Sequence, residues 1–179
     1  WFDPHTGRLN AEERGWFLGG LNKGDKLLAI YKDGSYEITE YDMQNRYAFA
    51  ELYSMVKFKE DIVVSTVYFE GEKKWSMAKR FKIETSSLGQ KFQFITDHKD
   101  SKMYWAGTGE NPEVLFSYKR KNEKSEEILT LVEFVDIKGW KAIGNKIEDI
   151  PLVKVESYQQ TKNPPGPKLK IGDTLEFDF

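Results

Sequence analysis

Apolar and polar residues alternate in short runs along most of this chain, and the runs are rich in aromatic and β-branched residues, the pattern of strands rather than helices. Residues 26–31 (KLLAIY) and 35–39 (SYEIT) are two such runs separated by Lys32-Asp33-Gly34, which predicts a hairpin. A second hairpin is predicted from residues 61–69, through the turn Glu70-Gly71-Glu72, to a return strand over 73–83. A third runs from residues 102–106, through Thr108-Gly109-Glu110-Asn111-Pro112, to 114–118. One more strand follows each hairpin, at 52–58, 91–96 and 128–134. No segment has a long helical period; residues 48–56 have room for two turns, but their aromatic and branched content suits a strand equally well.

The strands recur. The turn glycines Gly34, Gly71 and Gly109 are spaced by 37 and 38 residues, and the closing phenylalanines Phe58, Phe94 and Phe134 by 36 and 40. A period of this length belongs to blade-like or solenoid repeats rather than to one continuous sandwich. The predicted fold is all-β, with repeated units of about 38 residues and roughly four strands available to each. Residues 1–9 read as a further strand-turn-strand, part of an incomplete or circularly closed fourth unit. Beyond Val155 the texture changes, and residues 156–170, with Asn163-Pro164-Pro165-Gly166-Pro167, predict a turn-rich, polyproline-like linker. Residues 171–179 alternate weakly and predict a tail or one added strand. The expected organisation is therefore 1–155, 156–170 and 171–179.

Composition narrows the chemistry. There is no cysteine, which removes disulfides and thiolate metal sites, and the two histidines, His5 and His98, lie in polar, turn-like settings without a partner at ligand spacing. No apolar run approaches the ~18–20 residues that cross a bilayer, and no export signal is visible, so a soluble, cytoplasmic protein without membrane contact is expected. The start at Trp1-Phe2 without methionine is expected to mark a piece of something longer. The net charge of −2 argues against nucleic-acid binding, but its distribution does not. Residues 71–146 hold 15 Lys/Arg against 11 Asp/Glu, whereas 1–70 and 147–179 are both acidic, which leaves scope for a basic face in the middle of the chain.

No catalytic constellation accompanies these features. Glycine-flanked serine elbows and phosphate-cradling glycine loops ending in Lys-Ser/Thr are missing, and the pairs Glu12-Glu13 and Glu126-Glu127 place adjacent side chains on opposite faces of a strand. Neither enzymatic activity nor a cofactor is expected. What does gather is cations interleaved with aromatics: Lys73-Lys74-Trp75, Lys79-Arg80-Phe81-Lys82, Lys119-Arg120-Lys121, Lys138-Gly139-Trp140-Lys141 and, beyond them, Lys146. Such side chains meet phosphate oxygens and pack on sugar edges, although outward lysines also protect sheet edges while aromatics fill a core. Two rivals remain open: a propeller-like protein-interaction module, and a glycan-binding β-protein using Trp16, Trp75 and Trp105.

Two segments add a resemblance. Residues 133–146 (EFVDIKGWKAIGNK) and 1–10 (WFDPHTGRLN) resemble stretches of the C-terminal domain of a bacterial type IIA DNA topoisomerase A subunit, of topoisomerase IV or gyrase. The resemblance covers roughly residues 1–155, and residues 171–177 are similar to the ends of some such subunits. It implies a β-pinwheel, in which strands are exchanged between neighbouring blades and duplex DNA bends along a basic outer rim. It further implies capture of the transported DNA segment, with the cleaving tyrosine and magnesium site elsewhere in the parent enzyme, and as partners duplex DNA, the rest of the A subunit and the ATPase B subunit. The gyrase loop Gln-Arg-Arg-Gly-Gly-Lys-Gly is missing; residues 138–144 are nearest but lack both arginines, a departure that leans toward topoisomerase IV. On this reading the DNA-contacting residues are Lys73, Lys74, Lys79, Arg80, Lys82, Lys119, Arg120, Lys121, Lys138, Lys141 and Lys146.

Overall fold

The computed structural model describes residues 1–158; the linker expected at 156–170, from residue 159 onward, and the tail or added strand expected at 171–179 lie outside the described residues. A short hairpin, β1 (Phe2–Asp3) and β2 (Arg8–Leu9), precedes three antiparallel hairpins. These are β3 (Lys26–Tyr31) with β4 (Ser35–Glu40), β6 (Val63–Glu70) with β7 (Trp75–Lys82), and β10 (Glu113–Arg120) with β11 (Glu123–Thr130). Between them run β5 (Leu52–Lys57), β8 (Lys91–Gln93) and β9 (Lys102–Gly107). After β11 come a single helical turn, α1 (Leu131–Phe134), and then β12 (Ile137–Lys138), β13 (Asn145–Glu148) and β14 (Lys154–Ser157).

The chain is all-β, and its sheets are not built from consecutive strands. Each hairpin receives a strand on its first member from its own unit: β5 on β3, β9 on β6, β14 on β10. The second member of each of the first two receives a strand from the unit that follows: β8 returns to β4, and β12 and β13 share one edge of β7. The N-terminal hairpin shows the same arrangement in miniature, with Trp16 bridged to Phe2 and Arg46 to Arg8. Strand exchange between neighbouring sheets is thus a repeated feature of this chain.

That exchange corrects the third predicted hairpin. Residues 102–106 and 114–118 are strands, but they belong to different sheets, and 108–112 is a crossover between them. The true third hairpin turns at Lys121-Asn122, both with left-handed backbone (φ 48° and 66°). A two-residue turn of this kind favours the twist of the flanking strands, and asparagine tolerates it without glycine. Gly109 therefore marks a crossover, so the regular glycine spacing does not carry into the third sheet. The strand expected at 128–134 likewise divides, ending at Thr130 before the α1 turn.

The packing follows from side-chain alternation. In β3, Leu27, Ala29 and Tyr31 join a cluster with Phe2, Leu9, Leu52 and Met55 toward the N-terminal hairpin. Leu28 and Ile30 point the other way, into a cluster with Tyr36, Ile38, Val64, Tyr68, Met77, Phe81 and Phe94 between the first and second sheets. Both faces are buried, which explains why β3 reads as a continuous apolar run rather than an alternating one. A third cluster, with Val67, Ala78, Trp105, Val114, Phe116 and Leu131, joins the second and third sheets. Full burial of each Val, Leu, Ile, Phe or Met side chain in these clusters contributes about 1.5–3 kcal/mol.

Candidate nucleic-acid interface

The cation-rich segments converge on the second sheet because β7 lies at its centre and takes strands from the third unit on its free edge. β13 sets Lys146 beside Met77, close to the start of β7, while β12 sets Lys138 beside Phe81 near its end. Over eight residues the two ends of β7 stand roughly 23 Å apart. The exposed cations therefore form two groups instead of one stripe.

The first group surrounds the β6–β7 turn. Lys73 and Lys146 lie over the ring of Trp75, with Nζ 5.2 and 4.6 Å from its centroid, although they are 73 residues apart in sequence. Lys74, in the same turn, has a left-handed backbone (φ 57°) and is exposed. The β10–β11 turn carries Lys119, Arg120 and Lys121, all exposed, to the same end of the sheet. Its position there is fixed by Arg120, whose guanidinium pairs with Glu148 at 2.9 Å and Asp149 at 2.5 Å. Glu148 is in register with Ser76, one residue from Trp75. The two carboxylates hold the Arg120 proton more firmly, and Arg120 in turn lowers the Asp149 pKa.

The second group holds Lys82 and Lys138, both exposed, with Lys82 3.6 Å from Asp61. Lys141 is exposed between the two groups, over Trp140 at 5.1 Å.

Lys79 and Arg80 require correction as rim residues, because both are enclosed. Lys79 is 2% exposed. Its ammonium donates hydrogen bonds to the carbonyl oxygens of Phe94, Trp140 (2.6 Å) and Ala142 (2.8 Å), and it stands over the rings of Tyr68 and Phe81. Burial pushes its pKa down to about 8. The three carbonyl acceptors favour the charged form, so it is an ammonium at neutral pH. Arg80 is 7% exposed and donates through Nε to Ser65 Oγ at 3.1 Å. The cause is the parity of β7: Lys79 shares the face of Met77 and Phe81, while Arg80 shares that of Ala78, and both faces of this central sheet are covered.

Sequence reasoning could not find the acidic partners of Arg120, since nothing in the spacing of Glu148 and Asp149 signals that β13 reaches the β10–β11 turn. Two further cation–aromatic pairs also escape it, Lys91 over Tyr31 (3.9 Å) and Lys102 over Tyr104 (5.8 Å). Trp105 is buried and donates from Nε1 to Ser157 Oγ, which withdraws it from any glycan-stacking surface. No group of three or more metal-ligating side chains occurs among the described residues.

A family model described as topoisomerase C-terminal domain, Bacteroidota, matches residues 8–159, spanning all three exchanged sheets. The chain belongs to this family of topoisomerase C-terminal domains. No curated protein matches it. The exposed lysines around Trp75 thus lie within the matched part of a topoisomerase domain, as does the Arg120 ion-pair cluster. No helix among its described residues is long and apolar enough to cross a membrane.

Proposed function

We propose that this topoisomerase C-terminal domain is a non-catalytic, pinwheel-type DNA-binding module of a type IIA topoisomerase A subunit. Its basic outer surface binds and bends duplex DNA, presenting the transported segment during ATP-dependent changes of topology. The observation that carries this reading is the convergence of Lys73, Lys74 and Lys146 around Trp75, beside the turn bearing Lys119, Arg120 and Lys121. Side chains from three segments distant in sequence supply an exposed cationic surface at one end of two adjacent sheets. Lys82 and Lys138 form a second cationic group toward the other end of β7, and Lys141 stands over Trp140. These cations suit phosphate contacts, which position a duplex without reading its sequence. Bending a 20–30 bp site by 40–90° costs of order 1–6 kcal/mol, which several such contacts offset. Duplex DNA, the rest of the A subunit and the ATPase B subunit are the proposed partners, in the cytoplasm. The parent's cleavage chemistry is placed outside this chain.

A salt series with a labelled duplex of arbitrary sequence tests the proposal, comparing the wild type with Lys73→Ala/Lys74→Ala/Lys146→Ala. Affinity should fall steeply with salt, and the slope of log K against log[salt] should become shallower by about 0.9 for each phosphate that the variant no longer neutralises. Affinity that is flat with salt, or a triple variant indistinguishable from wild type, would remove this surface as the DNA site.

A protein-interaction reading has one specific observation in its favour. Phe17 is 69% exposed, with its ring centroid 4.9 Å from that of Trp1 beside the N-terminal hairpin. An apolar contact there is compatible with DNA binding elsewhere on the same domain.

A further inference from the structure

The N-terminal hairpin carries an arginine cluster outside the cation-rich middle of the chain. Three of the five arginines in the sequence, Arg8, Arg14 and Arg46, line one open pocket of about 620 Å³ beside β1 and β2, although residues 1–70 are acidic as a whole. Arginine, unlike lysine, presents a planar fork that takes two oxygens of one anion at once.

Backbone pairing forces two of these side chains together. Arg8 and Arg46 face each other across an antiparallel bridge, and the flanking hydrogen bond from the Tyr47 N–H to the Gly7 carbonyl, 3.0 Å, makes them a non-hydrogen-bonded pair. In such a pair the side chains leave the same face with Cβ atoms about 4.5–5.5 Å apart. Gly7 permits the approach: its backbone is left-handed (φ 69°), and a Cβ there would collide with the Tyr47 carbonyl. The third arginine is set by Asn10. Its Oδ1 accepts from the Glu12 and Arg14 N–H groups at 3.0 and 3.2 Å, and its Nδ2 donates to the Arg14 carbonyl at 2.9 Å.

The two opposed charges are not neutralised by the acids of the pocket. Glu12 pairs with Arg14 at 2.6 Å, and the Asp3 carboxylate accepts from the His5 N–H at 2.9 Å. Among the described residues neither Arg8 nor Arg46 forms an ion pair. The hydrogen bonds that guanidinium groups donate there come from Arg80 and Arg120 alone. Like charges directly opposite one another across two strands are destabilising. An anion seated between them turns that repulsion into two charge-assisted attractions. The two free forks match the two unesterified oxygens of a phosphodiester, and the open side of the pocket leaves room for its substituents.

We propose that Arg8 and Arg46, with Arg14 beside them, form a phosphate-group site on the N-terminal hairpin, built from residues other than the lysines around Trp75. The choice of occupant rests on the DNA-binding reading, which supplies a backbone phosphate of the duplex; free phosphate is the other source of the same chemistry. Two measurements on the full chain separate them. In a salt series with a labelled duplex, Arg8→Gln/Arg46→Gln should lower affinity about tenfold and make the salt slope shallower by about 0.9 for each phosphate it no longer neutralises. Arg8→Lys/Arg46→Lys keeps both charges and loses both forks, so it should retain the slope yet bind several-fold more weakly than the wild type. The second measurement follows the arginine Nε–H NMR signals as sodium phosphate replaces sodium chloride at constant ionic strength. The Arg8 and Arg46 signals should shift together while that of the enclosed Arg80 stays in place. Shifts accompanied by unchanged duplex binding of the glutamine variant assign the site to free phosphate. Unmoved signals together with unchanged duplex binding overturn the proposal. So does a lysine variant that equals the wild type where the glutamine variant binds duplex more weakly, since diffuse surface charge then accounts for the effect. Should the wild type bind no duplex at all, the DNA-binding reading fails and the phosphate shifts alone decide this site.

Discussion

Lys79 is the clearest case of a residue whose type misleads and whose environment explains it. An ammonium enclosed between two sheets is costly to bury, and here it satisfies three carbonyls from two distant segments, Phe94 on one side and Trp140 and Ala142 on the other. Lys79→Met leaves those carbonyls without their donor and should lower stability by about 2 kcal/mol or more at pH 7, measured by denaturant unfolding. The folded-state pKa of about 8 lies below the ordinary 10.5, so between these values the unfolded chain binds more protons than the folded one. The Lys79 contribution therefore makes wild-type stability rise with pH through that window, and the rise should be absent from Lys79→Met. Arg120 presents the opposite situation, an exposed cation whose charge is already engaged. Releasing it with Glu148→Gln/Asp149→Asn should tighten binding to duplex DNA several-fold at low salt and steepen the salt dependence, as read by fluorescence anisotropy.

At the scale of elements, strands announce themselves in this sequence and their partners do not. The runs that form β3, β4, β6 and β7 are legible because apolar and branched residues cluster between turn residues. Lys121-Asn122 escapes notice as a turn because it lacks glycine, and Gly109 attracts notice for a role it does not have. The sites follow the same division. The exposure of Lys73, Lys74 and Lys146 agrees with their sequence context, whereas the enclosure of Lys79 and Arg80 depends on sheets contributed from both sides of β7, which local patterning does not encode. Exchange itself rests on small residues at close approaches. Gly144 has φ 87°, and a Cβ there would collide with the Ala78 carbonyl at the point where β13 docks on β7. Gly144→Ala should therefore loosen β13 and lower stability by about 1–3 kcal/mol in thermal or denaturant unfolding, with faster exchange of the Asn145 and Lys146 amides.

For the whole molecule, the three apolar clusters and the exchanged strands run in one series from the N-terminal hairpin to β14. A stack of self-contained repeats can lose its terminal unit alone. Here the third unit supplies β12 and β13 to the second sheet, and the second supplies β8 to the first. Residues 1–158 should accordingly unfold in one transition, with tryptophan fluorescence and far-ultraviolet circular dichroism giving coincident curves; separate midpoints would mean that the sheets melt independently.

The lacing of β8, β12 and β13 onto earlier sheets also bears on how such a chain can be lengthened or shortened. A cut just before β10 removes one sheet, yet it also strips β7 of its outer neighbours and leaves Lys79 without two of its acceptors. The segment that can be copied or deleted as a module is therefore out of step with the sheet seen in space: it runs from one hairpin through the strands that return to the sheet before it. Gain or loss of a repeat in such a chain therefore alters two sheets at once, the one whose hairpin is added or removed and the one before it, which gains or loses its outer strand.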